Sequence, residues 1–156
     1  MFIPNYAQHP LISAPYEDLL TELNSSLINN YLQMDRGFSL LLRILATNLR
    51  PDLKEVAPVL KAELEYCINN IPHFTYSFLF YEEITSFFTN NKILANLGRG
   101  SATASLICYG LRITKLNPLD FNLHWERFLY GNEITIDIDV PSSKKDLLLD
   151  YLQAKY

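Results

Sequence analysis

Between Phe74 and Phe88 seven of fifteen residues are aromatic, and two adjacent acids, Glu82 and Glu83, sit among them. Rings at this density predict a helix buried on most sides, with a strand as the alternative. Their bland use is core packing; a base-stacking surface would need exposed rings. The flanking sequence is also helical in texture. Leu19, Leu20, Leu23, Leu27, Ile28 and Leu32 form one stripe over Tyr16–Leu32. Gly37 punctuates it, and Phe38–Leu49 reads as a second helix stopped by Pro51. Asp52, with Glu55 three residues on, predicts a capping box for a third helix running to about Asn70, with Pro58 as a possible kink. The first fifteen or so residues, with Pro4, Pro10 and Pro15, read as an extended lead-in.

After Asn90-Asn91 the texture changes. Lys92–Leu97 predicts a short buried strand, Gly98-Arg99-Gly100-Ser101 a turn, and Ala102–Leu111 a helix. Asn117-Pro118 marks a turn, with a short helix near Leu123–Leu129. Glu133–Val140 alternates as a strand. Ser142 or Ser143 then caps a last helix with Leu148, Leu149 and Leu152 inward. The expected class is α+β or α/β, taken forward as α+β, with 1–90 helical and 91–156 carrying a small sheet, in one compact unit.

Charge narrows the function. Residues 1–90 hold five Lys/Arg and ten Asp/Glu, and residues 91–156 hold eight and seven, giving −5 and +1. A strongly basic duplex-binding domain is excluded, while a local phosphate site in the second half is not. Two cysteines, Cys67 and Cys108, suit a reducing cytoplasm. No stretch reaches the ~20 apolar residues of a membrane span, and no signal-peptide pattern is evident. His9, His73 and His124 lack ligand spacing, and Trp125 reads as a packing anchor.

Two segments can carry chemistry. A strand, a glycine turn and a helix start let the backbone approach an anion and offer unpaired N–H groups. Ser101 adds a hydroxyl and Arg99 a charge. The plain alternative is a strand-to-helix turn with Ser101 as N-cap. In Ile134–Val140, Asp137 and Asp139 fall on one strand face, ~6.5–7 Å apart at the strand rise. Such a pair can share one Mg²⁺ or bracket two ions; the plain alternative is acids facing water. Lys144 and Lys145 can contact phosphate or simply start a solvated helix.

Gly98-Arg99-Gly100-Ser101-Ala102, Ser105-Leu106, Tyr109, Ile113-Thr114, Asn117-Pro118-Leu119, Glu126-Arg127-Phe128-Leu129, Asp137-Ile138-Asp139, Asp150-Tyr151 and Lys155-Tyr156 follow one another in order. This series resembles the bacterial DNA polymerase III alpha subunit, from the pre-palm region into the first half of the palm. Pro4-Asn5-Tyr6, Leu19-Leu20, Glu63-Leu64-Glu65 and Tyr76–Ile84 are similar more loosely. The resemblance implies a helical region, 1–90, packed on a partial polymerase-beta-like nucleotidyltransferase palm, 91–156. It implies that Arg99, Gly100, Ser101 and Arg127 bind the triphosphate of a deoxynucleoside triphosphate. Asp137 and Asp139 would be catalytic carboxylates holding Mg²⁺. The implied partners are primer–template DNA and the remaining polymerase domains or replisome subunits, with no membrane involved. Ala104 stands where the family has glycine, Leu97 where it has proline, and Lys144-Lys145 where it has arginines. Its third carboxylate lies beyond residue 156. The chain is therefore expected to be a fragment or diverged member, inactive alone. The alternative is a non-catalytic interaction module that retains the palm fold.

Overall fold

The computed structural model describes residues 10–93, 96–97 and 100–155. Seven α-helices occur among them. These are α1 (Pro10–Leu23), α2 (Ser26–Met34), α3 (Arg36–Asn48), α4 (Leu53–Asn70), α5 (Phe74–Asn90), α6 (Leu106–Gly110) and α7 (Lys145–Lys155). Strands β1 (Asn96–Leu97) and β2 (Ile138–Asp139) pair antiparallel, Asn96 opposite Asp139 and Leu97 opposite Ile138. The described residues are thus predominantly helical, and their sheet is one two-residue ladder. The longer strand expected over Glu133–Val140 shrinks to Ile138–Asp139, because alternation forms a ladder only where a partner strand lies alongside.

The apolar stripes dictate the bundle. α3 is buried on nearly every side through Phe38, Leu41, Leu42, Leu45 and Ala46, and packs against α1, α2, α5 and α6. Tyr31, Phe38 and Phe74 join α2, α3 and α5 in one aromatic cluster, with centroids 4.9–5.6 Å apart. The aromatic run is helical, as expected. Phe74, Phe78, Phe87 and Phe88 are core residues.

Several boundaries differ from the sequence reading. α1 already begins at Pro10, a first-turn position that needs no N–H. The single helix expected over Tyr16–Leu32 breaks at Asn24, whose φ of 45° lies in the left-handed region that asparagine tolerates. Ser25 restarts the chain as α2, its Oγ accepting from Ile28 N–H at 3.2 Å. The Asp52 cap is not formed. A 3₁₀ turn, Arg50–Asp52, runs straight into α4, and Asp52 lacks the extended backbone that folds a capping carboxylate back. α4 continues through exposed Pro58. The short helix near Leu123–Leu129 is a 3₁₀ turn, Trp125–Arg127. On α7, Leu148 is buried and Leu152 half-buried, one turn apart on one face. Leu149 lies off that face and is exposed.

Two hydrophobic clusters result among the described residues. The larger draws on α1–α6 and also on Phe128, Leu129 and Ile136, so residues from both halves of the chain share it. The smaller joins Ile84, Phe87, Phe88, Ile93 and Leu148, with Ile138, Val140 and Tyr151 packed against it. Tyr151 stacks on Phe87 at 4.2 Å.

Candidate phosphate and metal site

The antiparallel ladder brings the two sequence-predicted segments together. Leu97 pairs with Ile138. In sequence Gly100 follows Leu97 by three positions, and Asp137 immediately precedes Ile138. Gly98 and Arg99 lie outside the described residues. Gly100 and Ser101 open a 3₁₀ turn, Gly100–Ala104, and both are exposed. Gly100 has φ +70°, and a Cβ there would meet nothing within 4 Å. Backbone conformation, not crowding, therefore calls for glycine at this position. Thr103 Oγ1 donates to Gly100 O at 2.7 Å. Ala102 and Ala104 face inward and are buried.

The helix expected from Ala102 to Leu111 is interrupted. Ser105 stands between the 3₁₀ turn and α6 with extended backbone, and its Oγ accepts from Cys108 N–H at 3.1 Å. The N-cap is thus Ser105 rather than Ser101. A carboxylate from another helix already occupies the start of α6. Glu63 of α4 accepts from Ser105 Oγ–H, from Leu106 N–H at 3.0 Å and from Ile107 N–H at 3.3 Å. Glu63 is fully buried, which pushes its carboxyl up to about 7, against the pull of those three donors. The sequence reading missed this role. The signal was positional, since Glu63 occupies a slot in the inner stripe of α4 formed by Val56, Leu60, Leu64 and Cys67.

Arg127 lies in the 3₁₀ turn Trp125–Arg127, which packs directly against Gly100–Ala104. Its side chain is exposed. Trp125 anchors that turn on α4 by packing against Tyr66 at 5.5 Å, as the sequence suggested. Tyr66 OH donates to Gly131 O at 3.0 Å and fastens the following loop. Among the predicted phosphate contacts, Gly100, Ser101 and Arg127 therefore share one region.

The acid pair is held from α5. Ile136 N–H donates to Tyr81 OH at 3.4 Å, and Ile136 is buried in the larger cluster. Asp137 is exposed immediately before β2, and Asp139 within β2 is half-buried. Asp139 borders a groove of about 440 Å³ shared with Ile84, Val140, Lys145, Leu148 and Leu152. Of the two lysines considered for phosphate, Lys145 thus lines the same groove as Asp139. Among the described residues no group of three or more His, Cys, Asp or Glu is placed to hold a metal ion. Two carboxylates are nevertheless the hard oxygen donors that Mg²⁺ takes, completing its shell with water and phosphate oxygens. The donor set fits that ion as a partial site.

Residues 38–156 match the family model described as the bacterial DNA polymerase III alpha NTPase domain. The DNA polymerase III subunit alpha of Mycoplasma pneumoniae is 42% identical over 100 residues, covering 62% of this chain and 11% of that protein. The subunit of the same name from Staphylococcus aureus strain Mu50 is 32% identical over 118 residues, covering 73% of this chain and 11% of that protein. The chain therefore spans about 11% of the length of these curated relatives. Among the described residues no helix is long and apolar enough to cross a membrane.

Proposed function

The chain belongs to the bacterial DNA polymerase III alpha family, and from that premise we propose that it is a palm segment of a replicative polymerase. In this reading residues 91–156 receive the triphosphate of a deoxynucleoside triphosphate together with Mg²⁺, and residues 1–90 are the helical support behind them. One observation supports it above the others. Leu97, three positions before Gly100, pairs with Ile138, the neighbour of Asp137, and the turn that carries Arg127 packs on the Gly100–Ala104 turn.

Each residue has a stated task. Gly100 lets the backbone approach phosphate oxygens, and Ser101 offers its hydroxyl. Arg127 and Arg99 offset phosphate charge by charge-assisted hydrogen bonds. Asp137 and Asp139 hold Mg²⁺. When bound, that ion supplies charge stabilisation to the attacking and leaving oxygens as a primer 3′-hydroxyl attacks the α-phosphorus. Primer–template DNA and the rest of the polymerase or replisome are the proposed partners. The chain spans about 11% of the length of its curated relatives, and the segment alone is proposed to bind without polymerising.

Calorimetric titration of Mg²⁺·dATP into the chain tests this reading, alongside an Asp137→Asn/Asp139→Asn variant. Saturable binding weakened at least about tenfold by the variant is the expected result, since each lost charged contact is worth about 1.5–3 kcal/mol. Equal behaviour of the two proteins refutes the reading and favours a diverged, non-catalytic interaction module.

A further inference from the structure

Glu63 is an acid in a place that apolar side chains fill elsewhere on the same helix. It lies beside Leu64 on the inner face of α4 and has no exposed surface. Burying a carboxylate is costly unless hydrogen bonds replace its water. All three replacements come from one short stretch of chain: Ser105 Oγ–H, Leu106 N–H at 3.0 Å and Ile107 N–H at 3.3 Å.

That stretch is the downstream end of the glycine turn. Ser105 N–H donates to Ala102 O at 3.1 Å, and Thr103 Oγ1 closes back on Gly100 O at 2.7 Å. Ala102 and Ala104 point into the core, and Gly100 and Ser101 point out. A chain of contacts therefore runs from α4 through Glu63 and Ser105 to the turn. We infer that Glu63 is the positioning residue of the glycine turn, its buried carboxylate tying the turn's downstream end to α4 so that Gly100 and Ser101 are presented outward in one conformation. Its relevance to nucleotide binding rests on the reading proposed above; the anchoring itself does not.

Two consequences follow from the geometry. The first amides of α6 are committed inward to Glu63, so an incoming anion is met by Gly100, Ser101 and Arg127, not by α6. A carboxylate also suits the task better than its neighbours in size. Methionine fills the same space but leaves Ser105 and both amides without an acceptor, while glutamine restores part of the network through its single carbonyl oxygen.

Amide hydrogen exchange of the full chain tests the anchor in wild type, Glu63→Gln, Glu63→Met, Ser105→Ala and the Glu63→Met/Ser105→Ala double variant. Exchange over residues 100–108 is expected to accelerate at least about tenfold in Glu63→Met, less in Glu63→Gln, with α1–α3 unchanged. The double variant is expected to loosen residues 100–104 no more than Glu63→Met alone, because the Glu63–Ser105 contact is already lost there, while Cys108 N–H, which caps onto Ser105 Oγ, is expected to exchange faster in both variants that carry Ser105→Ala. Unchanged exchange over 100–108 overturns the inference. So does an acceleration spread evenly through the bundle in both Glu63 variants, which would make Glu63 a determinant of the whole fold. Binding of Mg²⁺·dATP is measured in parallel, and the turn-loosening variants are expected to weaken it. Absence of binding in wild type, with the turn loosened as expected in the variants, leaves the anchor standing and removes the nucleotide reading instead.

Discussion

Replacing Glu63 by glutamine is expected to abolish a specific pH dependence of stability. Burial raises the Glu63 carboxyl from 4.5 to about 7, the hydrogen bonds from Ser105, Ile107 and Leu106 oppose that rise, and the negative charge of Glu126 adds to it. Two further titratable groups lie close, Cys67 on α4 and Cys108 on α6. Burial pushes both thiols well above their usual range, so both stay neutral across the pH range that matters. The protonated acid remains satisfied, with one oxygen accepting from the amides and its O–H available to Ser105 Oγ. The folded-state value exceeds the unfolded one, so the folded chain holds the proton more tightly. The stabilisation is complete below pH 4.5 and is lost as pH rises through about 7. The full gap corresponds to roughly 3 kcal/mol, of which roughly 2–3 kcal/mol falls between pH 5 and pH 8. Urea denaturation followed by circular dichroism, at pH 5, 6, 7 and 8, measures it. Other carboxylates titrate in both proteins and cancel in the difference. Glu63→Gln is expected to gain roughly 2–3 kcal/mol on wild type from pH 5 to pH 8. Parallel profiles refute the reasoning. A slope of opposite sign would show that the three donors outweigh burial and hold the carboxylate ionised.

Other substitutions probe the supports of the site. Gly100→Ala places a side chain at φ +70° in open space, so it is expected to cost about 1 kcal/mol through backbone strain alone, read by urea midpoint. Gly110→Ala sets a Cβ 2.5 Å from Leu45 Cδ2 and 3.1 Å from Leu49 Cδ1 in a filled core. It is expected to cost about 1–3 kcal/mol by overpacking, measured in the same way. Glu83 is buried on α5, accepts from Tyr151 OH at 2.6 Å and pairs with Lys155 of α7. Glu83→Gln is expected to speed amide exchange severalfold over residues 145–155 and to leave α1–α3 unchanged.

The helices that were legible in the sequence are those whose stripe is itself the cause of folding. α3, α4 and α5 belong to this group, since burial of one face stabilises a helix more than local propensity does. The break between α1 and α2 was hidden for the same reason. Leu19, Leu23 and Ile28 keep facing the core on both sides of Asn24, so periodicity runs on where the backbone does not. The glycine turn and acid pair were legible as residue types. Their joining was not, because a ladder between residues some forty positions apart leaves no local trace. Arg127 reaches the glycine turn only through the packing of two 3₁₀ turns, and family resemblance alone pointed to it. Glu63 escaped notice because an acid within an apolar stripe reads as an interruption. Its partner, Ser105, lies 42 positions away.

The two halves of the candidate site rest on unequal supports. The glycine turn is tied to α4 through Glu63 and Ser105. The acid half has only a two-residue ladder, and so short an antiparallel pair has little stability of its own. What holds it is packing on either side. Ile136 sits in the larger cluster with its N–H on Tyr81, whereas Ile138 and Val140 lie against the smaller cluster beside Leu148. Asp137 stands between these residues, at the seam of the two clusters, and α5 contributes to both: Phe74 and Phe78 to the larger, Ile84, Phe87 and Phe88 to the smaller. Its Glu83 also fastens α7, whose Leu148 closes the smaller cluster. A shift of one cluster against the other therefore changes where Asp137 and Asp139 stand relative to Gly100, and the aromatic helix resists that shift by packing into both. The position of the acids is set less by strand pairing than by α5, so truncating Phe87 or Phe88 should disturb the acid pair before it disturbs the glycine turn.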